Sequence, residues 1–342
     1  MEKIAVIGAG SWGTALAIVL ADNGHHVNLY GRRNDQIQEI NDKHTNEKYL
    51  PGITLPHNIF GLSSLRHAVE DVSTIVLVTP TKAMRQVLSD LKQLLTKKVT
   101  IVHASKGIEP ETHKRISEMI EEEIPSEYLN AVVVLSGPSH AEEVSRRMPT
   151  TVTVSSNNAN AQELIQDLFI NSNFRVYTNA DVIGVELGGA LKNIIALGAG
   201  LADGLGHGDN AKAALITRGL AEIARLGTKM GANPLTFAGL TGIGDLIVTC
   251  TSVHSRNWRA GNMLGKGKKL NDVLEDMGMA VEGVRTTKAA YQLAKNVGVE
   301  MPITEQIYEV LFNDKDPKTA LDELMARGKT KELEDFSEKL FL

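Results

Sequence analysis

Lys3-Ile4-Ala5-Val6-Ile7-Gly8-Ala9-Gly10-Ser11-Trp12-Gly13-Thr14-Ala15-Leu16-Ala17-Ile18-Val19-Leu20 is a β-branched run, a set of spaced glycines and a helical apolar run in immediate succession. A G-x-G-x-x-G between a strand and a helix is the turn that brings backbone against a dinucleotide's pyrophosphate. Gly8 permits the tight turn, Gly10 lets the backbone approach the phosphates, and Gly13 lets the helix pack on its strand. The pyrophosphate then rests on free N–H groups at the positive end of that helix. With 30 glycines in the chain the spacing alone would say little. The strand before it and the helix after it carry the reading.

Outward from this turn the same alternation continues. Short β-branched runs recur at His26–Tyr30, Thr74–Val78, Val99–Val102, Ala131–Leu135, Thr151–Val154 and Phe174–Thr178. Stretches such as Ala83–Leu95 and Thr112–Ile124, with apolar residues three or four apart, lie between them. Strand, helix and strand in series predict a parallel sheet, because parallel neighbours need a crossover and a helix supplies it. After about residue 180 the β-branched runs give way to long helical patterns, at Val185–Gly204, Asn210–Met230, Leu270–Met277, Arg285–Asn296, Ile303–Phe312 and Pro317–Ala326. The fold class expected is α/β, a Rossmann-type parallel sheet domain over residues 1–180 followed by an all-α domain over 181–342. The charged end, Arg327–Lys339, reads as a surface helix or a frayed tail.

Composition fits this division. The chain of 342 residues has room for roughly two domains of about 150 residues each. Its 36 Lys+Arg against 41 Asp+Glu leave a net charge of −5, so no general attraction to nucleic acid or an anionic membrane is expected, and any phosphate recognition must be local. Cys250 is the only cysteine, which excludes an internal disulfide and suggests a small buried thiol. No signal peptide is visible at the start. The nearest approach to a membrane span, Ala190–Leu205, carries Lys192, Asn193 and Asp203 and reads as a buried core helix. A cytoplasmic protein without an integral membrane segment is expected.

The end of the second strand addresses which dinucleotide binds. An NAD enzyme usually places a carboxylate there, about 20 residues after the glycines, for the ribose 2′-hydroxyl. This chain has Gly31-Arg32-Arg33-Asn34. Two guanidiniums suit a 2′-phosphate, so NADPH (NADP+) is favoured and NADH (NAD+) remains open. A solvated basic turn is the plainer alternative. Trp12 either covers the pyrophosphate or caps the packing of the first helix.

The reacting end is expected within Leu187–Gly200. On a helical wheel Leu187, Leu191, Ile194, Ile195 and Leu197 share one face, and Gly188, Gly189, Lys192, Asn193, Ala196, Ala199 and Gly200 the other. Such a helix has no solvated face and should be buried on both sides. Burial would lower the proton affinity of Lys192, and small neighbours would leave room for substrate, making it a general-base candidate. Asn193 would orient substrate or satisfy backbone. Glycines around Asp245, in Thr241-Gly242-Ile243-Gly244-Asp245, suggest a tight turn aiming a carboxylate into a cleft. Ser255-Arg256-Asn257 suits a phosphate dianion. Lys106 and the Ser136-Gly137-Pro138-Ser139 loop follow strands and should lie at the carboxyl end of the sheet, where such folds bind ligands. No metal site is expected, since hydride transfer needs none.

Taken together, Gly8–Ala17, Ser105–Glu109, Leu135–Ser139, Ala190–Asn193, Gly242–Leu246 and Ser255–Asn257 resemble the bacterial NAD(P)-dependent glycerol-3-phosphate dehydrogenases, in order from residue 4 to about 312. The resemblance implies interconversion of dihydroxyacetone phosphate and sn-glycerol 3-phosphate, feeding glycerophospholipid biosynthesis. It also implies a helical second domain of the 6-phosphogluconate-dehydrogenase-like type. Position by position, it implies that Lys192 transfers the proton with Lys106 and Asp245 lining the reacting centre, and that Gly137, Ser139, Asn193, Ser255, Arg256 and Asn257 contact substrate. Gly8, Gly10, Ser11, Trp12, Gly13, Arg32, Arg33, Lys106, Ala141, Arg256, Val281 and Glu282 are the implied cofactor contacts. Homodimer formation is left open. The competing readings are another two-domain NADP-dependent hydroxy-acid dehydrogenase, which would need a carboxylate clamp, and an NADPH-binding redox sensor, which would not need Lys192.

Overall fold

The computed structural model describes residues 1–329; the last part of the charged end lies outside them. The β-branched runs are strands β1 (Lys3–Ile7), β2 (His26–Tyr30), β3 (Ile59–Leu62), β4 (Thr74–Leu77), β5 (Val99–His103), β6 (Leu129–Ser136), β7 (Thr150–Ser155) and β8 (Phe174–Asn179). Between and after them run α1 (Ser11–Asp22), α2 (Asn34–Lys43), α3 (Leu65–Val69), α4 (Thr81–Lys92), α5 (Ile116–Glu123), α6 (Ala141–Val144) and α7 (Ala159–Phe169). The strands form one sheet in the order β3-β2-β1-β4-β5-β6-β7-β8. Every neighbouring pair is parallel except β6 and β7, which run antiparallel. The parallel sheet expected from sequence is present, with β6 and β7 its one antiparallel pair. The β6–β7 connection contains only the four-residue α6, and an antiparallel return does not need a full crossover helix.

Alternate residues of β1 explain the double winding. Ile4 and Val6 pack with Leu16, Ile18 and Leu20 of α1, whereas Ala5 and Ile7 pack with Met84, Leu88 and Leu91 of α4. Both faces are covered, so the strand is apolar throughout rather than alternating.

Beyond β8 the described residues are helical: α8 (Val182–Gly204), α9 (Asp209–Lys229), a 3-10 segment at Pro234–Ala238, a π-helical turn at Leu240–Gly244, α10 (Asp245–Thr251), α11 (Arg256–Gly265), α12 (Leu270–Met277), α13 (Glu282–Val297), α14 (Pro302–Phe312) and α15 (Pro317–Met325). The chain forms two compact units, residues 1–106 with 115–182 and residues 107–114 with 183 onward. The excursion of 107–114 into the helical unit, where Ile108 joins the core, has no counterpart in a division at residue 180.

Length and composition would allow α8 to cross a membrane, yet 94% of its most apolar window is buried inside the protein. On one side that burial is backbone contact with α11. A Cβ on Gly200 would lie 2.0 Å from the Trp258 carbonyl oxygen, and one on Gly261 2.1 Å from that of Leu197. Gly204 and Gly265 meet the facing backbone in the same way, at 2.4 Å each. The pairings 193 with 257, 197 with 261 and 201 with 265 advance together, so the two helices run in parallel. The small face of α8 was expected to leave room for substrate; at Gly200 and Gly204 the room is filled by α11.

Candidate active site

The glycine turn between β1 and α1 divides its glycines by purpose. Gly8 has φ +123°, and a Cβ there would sit 2.5 Å from the Val78 carbonyl oxygen; one on Gly13 would sit 1.8 Å from the oxygen of Gly8. In front of Gly10 a Cβ would meet nothing within 4 Å. No side chain caps α1 at its Gly10 end, so its N–H groups stay available for an anion. Space and donors both fit a pyrophosphate. The turn is held from outside: the Ser11 hydroxyl donates to the Tyr49 carbonyl (2.9 Å), and buried Asn46 donates to the Ala9 carbonyl (3.1 Å) and the Thr14 hydroxyl (2.8 Å). Trp12 packs on the sheet's core, and its buried indole N–H has no acceptor among the described residues.

At the end of β2, Arg32 is exposed and Arg33 half-buried. The Arg33 guanidinium carbon lies 5.8 Å from the centre of the Tyr49 ring, and the Lys48 ammonium 6.0 Å from it. Sequence reasoning missed Lys48, because the loop after α2 carries it back to this point. Among the described residues Arg33 has a loose ion pair with exposed Asp35, at 3.6 Å.

The loops after β5 and β6 meet. The Lys106 ammonium donates to the Gly137 carbonyl (3.3 Å), and the Ser139 hydroxyl donates to the same oxygen (2.9 Å). Gly137 has φ +142°, with Val152 backbone 3.0 Å from where its Cβ would be. Buried Ala141 opens α6, which packs on α1.

In the helical unit, Lys192 is 5% exposed and Asp245 1%. The Lys192 ammonium binds the Asp245 carboxylate directly and donates to the Thr249 hydroxyl at 2.7 Å. That hydroxyl in turn donates to the backbone carbonyl of Asp245 at 2.6 Å. A buried ammonium needs such a counter-charge, and the hydroxyl fixes the direction of the amine. Asp245 does not sit on the tight turn expected from its glycines. The chain passes through the wide π-helical turn and Asp245 opens α10, an arrangement that demands Gly242, whose Cβ would lie 2.0 Å from the Phe237 carbonyl oxygen. Thr249, one helical turn on from Asp245, was not singled out from sequence.

The Asn257 side chain donates through Nδ2 to Asn193 Oδ1 (2.8 Å), and its Oδ1 accepts the Gly283 N–H at 2.9 Å. Much of the Asn257 amide is thus engaged with protein. Ser255 is the N-cap of α11, its hydroxyl accepting from the Trp258 N–H at 3.2 Å. Arg256 is exposed on the first turn of α11, and buried Val281 and half-buried Glu282 start α13. The Asn193–Asn257 bond places Lys192 and Arg256 at one level of the α8–α11 crossing. Cys250 is buried, and desolvation pushes its thiol up to about 12. Among the described residues no group of three or more His, Cys, Asp or Glu could hold a metal ion.

A doubly wound sheet with an open glycine turn, joined to a helical unit around a dry, charge-balanced lysine, defines a dinucleotide-dependent oxidoreductase. Models of the NAD-dependent glycerol-3-phosphate dehydrogenase N-terminus and C-terminus match residues 3–162 and 181–322. The glycerol-3-phosphate dehydrogenase [NAD(P)+] of Geobacillus kaustophilus is 70% identical over 338 residues, covering 98% of each chain. That of Geobacillus thermodenitrificans is 69% identical over 336 residues, again covering 98% of each. The crystal structure of glycerol-3-phosphate dehydrogenase from Coxiella burnetii superposes with a TM-score of 0.91 at 39% identity, over 95% of this chain and 99% of that one. The chain belongs to the NAD-dependent glycerol-3-phosphate dehydrogenase family.

Proposed function

We propose that the chain interconverts dihydroxyacetone phosphate and sn-glycerol 3-phosphate, with NADPH the favoured reductant and NADH an alternative, at the entry to glycerophospholipid synthesis in the cytoplasm. The observation that carries this reading is the Lys192 amine, buried, balanced by Asp245 and aimed by Thr249. Residues 1–180 serve as the dinucleotide-binding domain and 181–342 as the substrate domain. A homodimer is the assembly to test by light scattering.

The dinucleotide, when bound, supplies the hydride that reduces the ketone carbon. Gly10 and the head of α1 receive its pyrophosphate, with Ser11 and Trp12 beside them, and Arg32 and Arg33 receive the 2′-phosphate. Ala141, Val281 and Glu282 are further cofactor contacts. In the reducing direction the Lys192 ammonium gives its proton to the oxygen that becomes the hydroxyl, and the neutral amine then recovers a proton from water. In the oxidising direction the amine takes the hydroxyl proton. Asp245 keeps a counter-charge beside the ammonium state, and Thr249 holds the nitrogen in line. Arg256 pairs with the substrate phosphate at the head of α11. Asn257 retains one amide hydrogen, and Asn193 its own amide group, for the substrate. Lys106, Gly137 and Ser139 are the substrate contacts proposed for the first unit.

Following the absorbance of NADPH and NADH side by side tests the proposal. Adding dihydroxyacetone phosphate should consume both, NADPH with the higher kcat/KM. Absence of turnover with either dinucleotide would overturn it, and would leave the redox-sensor reading standing.

A further inference from the structure

The contact between α8 and α11 is made by glycines, which set the separation of the two helices and exclude large rotations but interlock no side chains against small ones. A helix lying on hydrogen atoms can roll about its own axis, and the direction of Arg256 rolls with it. On α11 two bonds outside the glycine contacts oppose such a roll. One is the Asn257 amide, held by Asn193 and by the N–H of Gly283. The other is the Trp258 indole N–H, which donates to Asp203 Oδ2 at 2.6 Å. Successive residues project about 100° apart around a helix, so these two bonds grip α11 from different sides and fix its rotation.

Asp203 is itself held, its other oxygen pairing with the Lys212 ammonium at 2.9 Å. Local physics does not favour an aspartate here, because the last turn of α8 is the negative end of that helix. Arg256 in the first turn of α11 is likewise at the disfavoured end for its charge. Lys212 and Trp258 account for the first placement, and an anion received by Arg256 accounts for the second. Asp203 contacts neither Lys192 nor Arg256 in any hydrogen bond or ion pair described above, so it acts through Trp258.

From this geometry we infer that Asp203 is a positioning residue: by holding the Trp258 indole it fixes the roll of α11 and aims Arg256 at the substrate phosphate. The inference rests on the proposed phosphate-binding role of Arg256. Asp203→Asn keeps the shape and removes the charge, while Trp258→Phe keeps the ring and removes the N–H.

In the full-length enzyme, steady-state kinetics of both variants should show KM for dihydroxyacetone phosphate raised about tenfold, with kcat and KM for NADPH within about twofold of the parent. The double variant should be no worse than Trp258→Phe alone, since Asp203 acts on α11 through the bond that Trp258→Phe removes. An unchanged KM for dihydroxyacetone phosphate would overturn the inference. So would kcat and both KM values deteriorating together with a lowered unfolding midpoint, the behaviour of a residue that only stabilises the fold. If one variant does not fold, the other decides. Arg256→Ala, measured alongside, separates the layers. If it leaves KM for dihydroxyacetone phosphate unchanged, the phosphate reading itself fails. If it raises that KM while Asp203→Asn and Trp258→Phe do not, only the positioning role fails.

Discussion

Glycine performs opposite tasks in the two halves of this molecule. At Gly10 it leaves open space in front of a helix end with uncapped donors, whereas at Gly200, Gly204, Gly261 and Gly265 it removes space so that two backbones touch. The polar groups follow the same division. Around the first-unit turn the Trp12 indole N–H and the Arg33 Nε are buried without acceptors among the described residues, while in the helical unit Lys192, Asp245 and Thr249 bond one another, as do Asn193 and Asn257. The first region is built to receive something large, and the second is dry and largely bonded to itself. Small residues in a sequence therefore mark proximity, and only the fold says whether a ligand or another backbone comes near.

Substitutions can break this comparison. Gly261→Ala, forced against the Leu197 carbonyl oxygen, should cost about 3 kcal/mol in a denaturant titration, because neither backbone has a rotamer to move. A loss below about 0.5 kcal/mol would mean that the helices are not in contact there.

A similar magnitude attaches to Glu222 of α9. It is buried and accepts the N–H groups of Ile303 (2.5 Å) and Thr304 (3.1 Å) at the start of α14. Desolvation raises its carboxyl from 4.5 to about 7, against the opposing pull of those hydrogen bonds. Below pH 4.5 folded and unfolded chains both carry the proton; between there and about 7 only the folded chain does. Stability should therefore fall by about 3 kcal/mol as pH rises through that window and level off above it. Glu222→Gln should remove this component of the slope in unfolding titrations at several pH values, and an unaltered slope would contradict the assignment.

Smaller effects sharpen the contrast. Thr249→Val removes a buried hydroxyl from the Lys192 amine, and kcat should fall about 10- to 100-fold with KM nearly constant in steady-state assays. Gly10→Ala should leave the unfolding midpoint in place yet weaken NADPH about tenfold in a fluorescence titration, since the added methyl meets only the ligand. Equal NADPH affinity would show that the open space is not used.

What could be read beforehand follows from how local each signal is. β1 and β4 are largely apolar because both sheet faces are covered, and a run such as Ile4–Ile7 shows that directly. β3 escaped notice because Ile59-Phe60-Gly61-Leu62 is short and interrupted by glycine. The reversal of β7 leaves no trace in its own composition. α11 was missed because its paired glycines and its polar first turn are poor helix formers in isolation; their reason is the backbone of α8. Lys192 stood out as the one charge within Leu187–Gly200. Thr249 reaches Lys192, and Asp203 reaches Trp258, only through tertiary structure, across separations such as the 57 residues between Thr249 and Lys192.

The central claim, that the Lys192 amine carries the reaction's proton, is tested most directly by the turnover of Lys192→Ala with dihydroxyacetone phosphate and NADPH, alongside its NADPH dissociation constant. The account predicts kcat lowered by about a thousandfold or more while NADPH binds nearly as before. Turnover within about tenfold of the parent, in a variant that still binds NADPH, would contradict it.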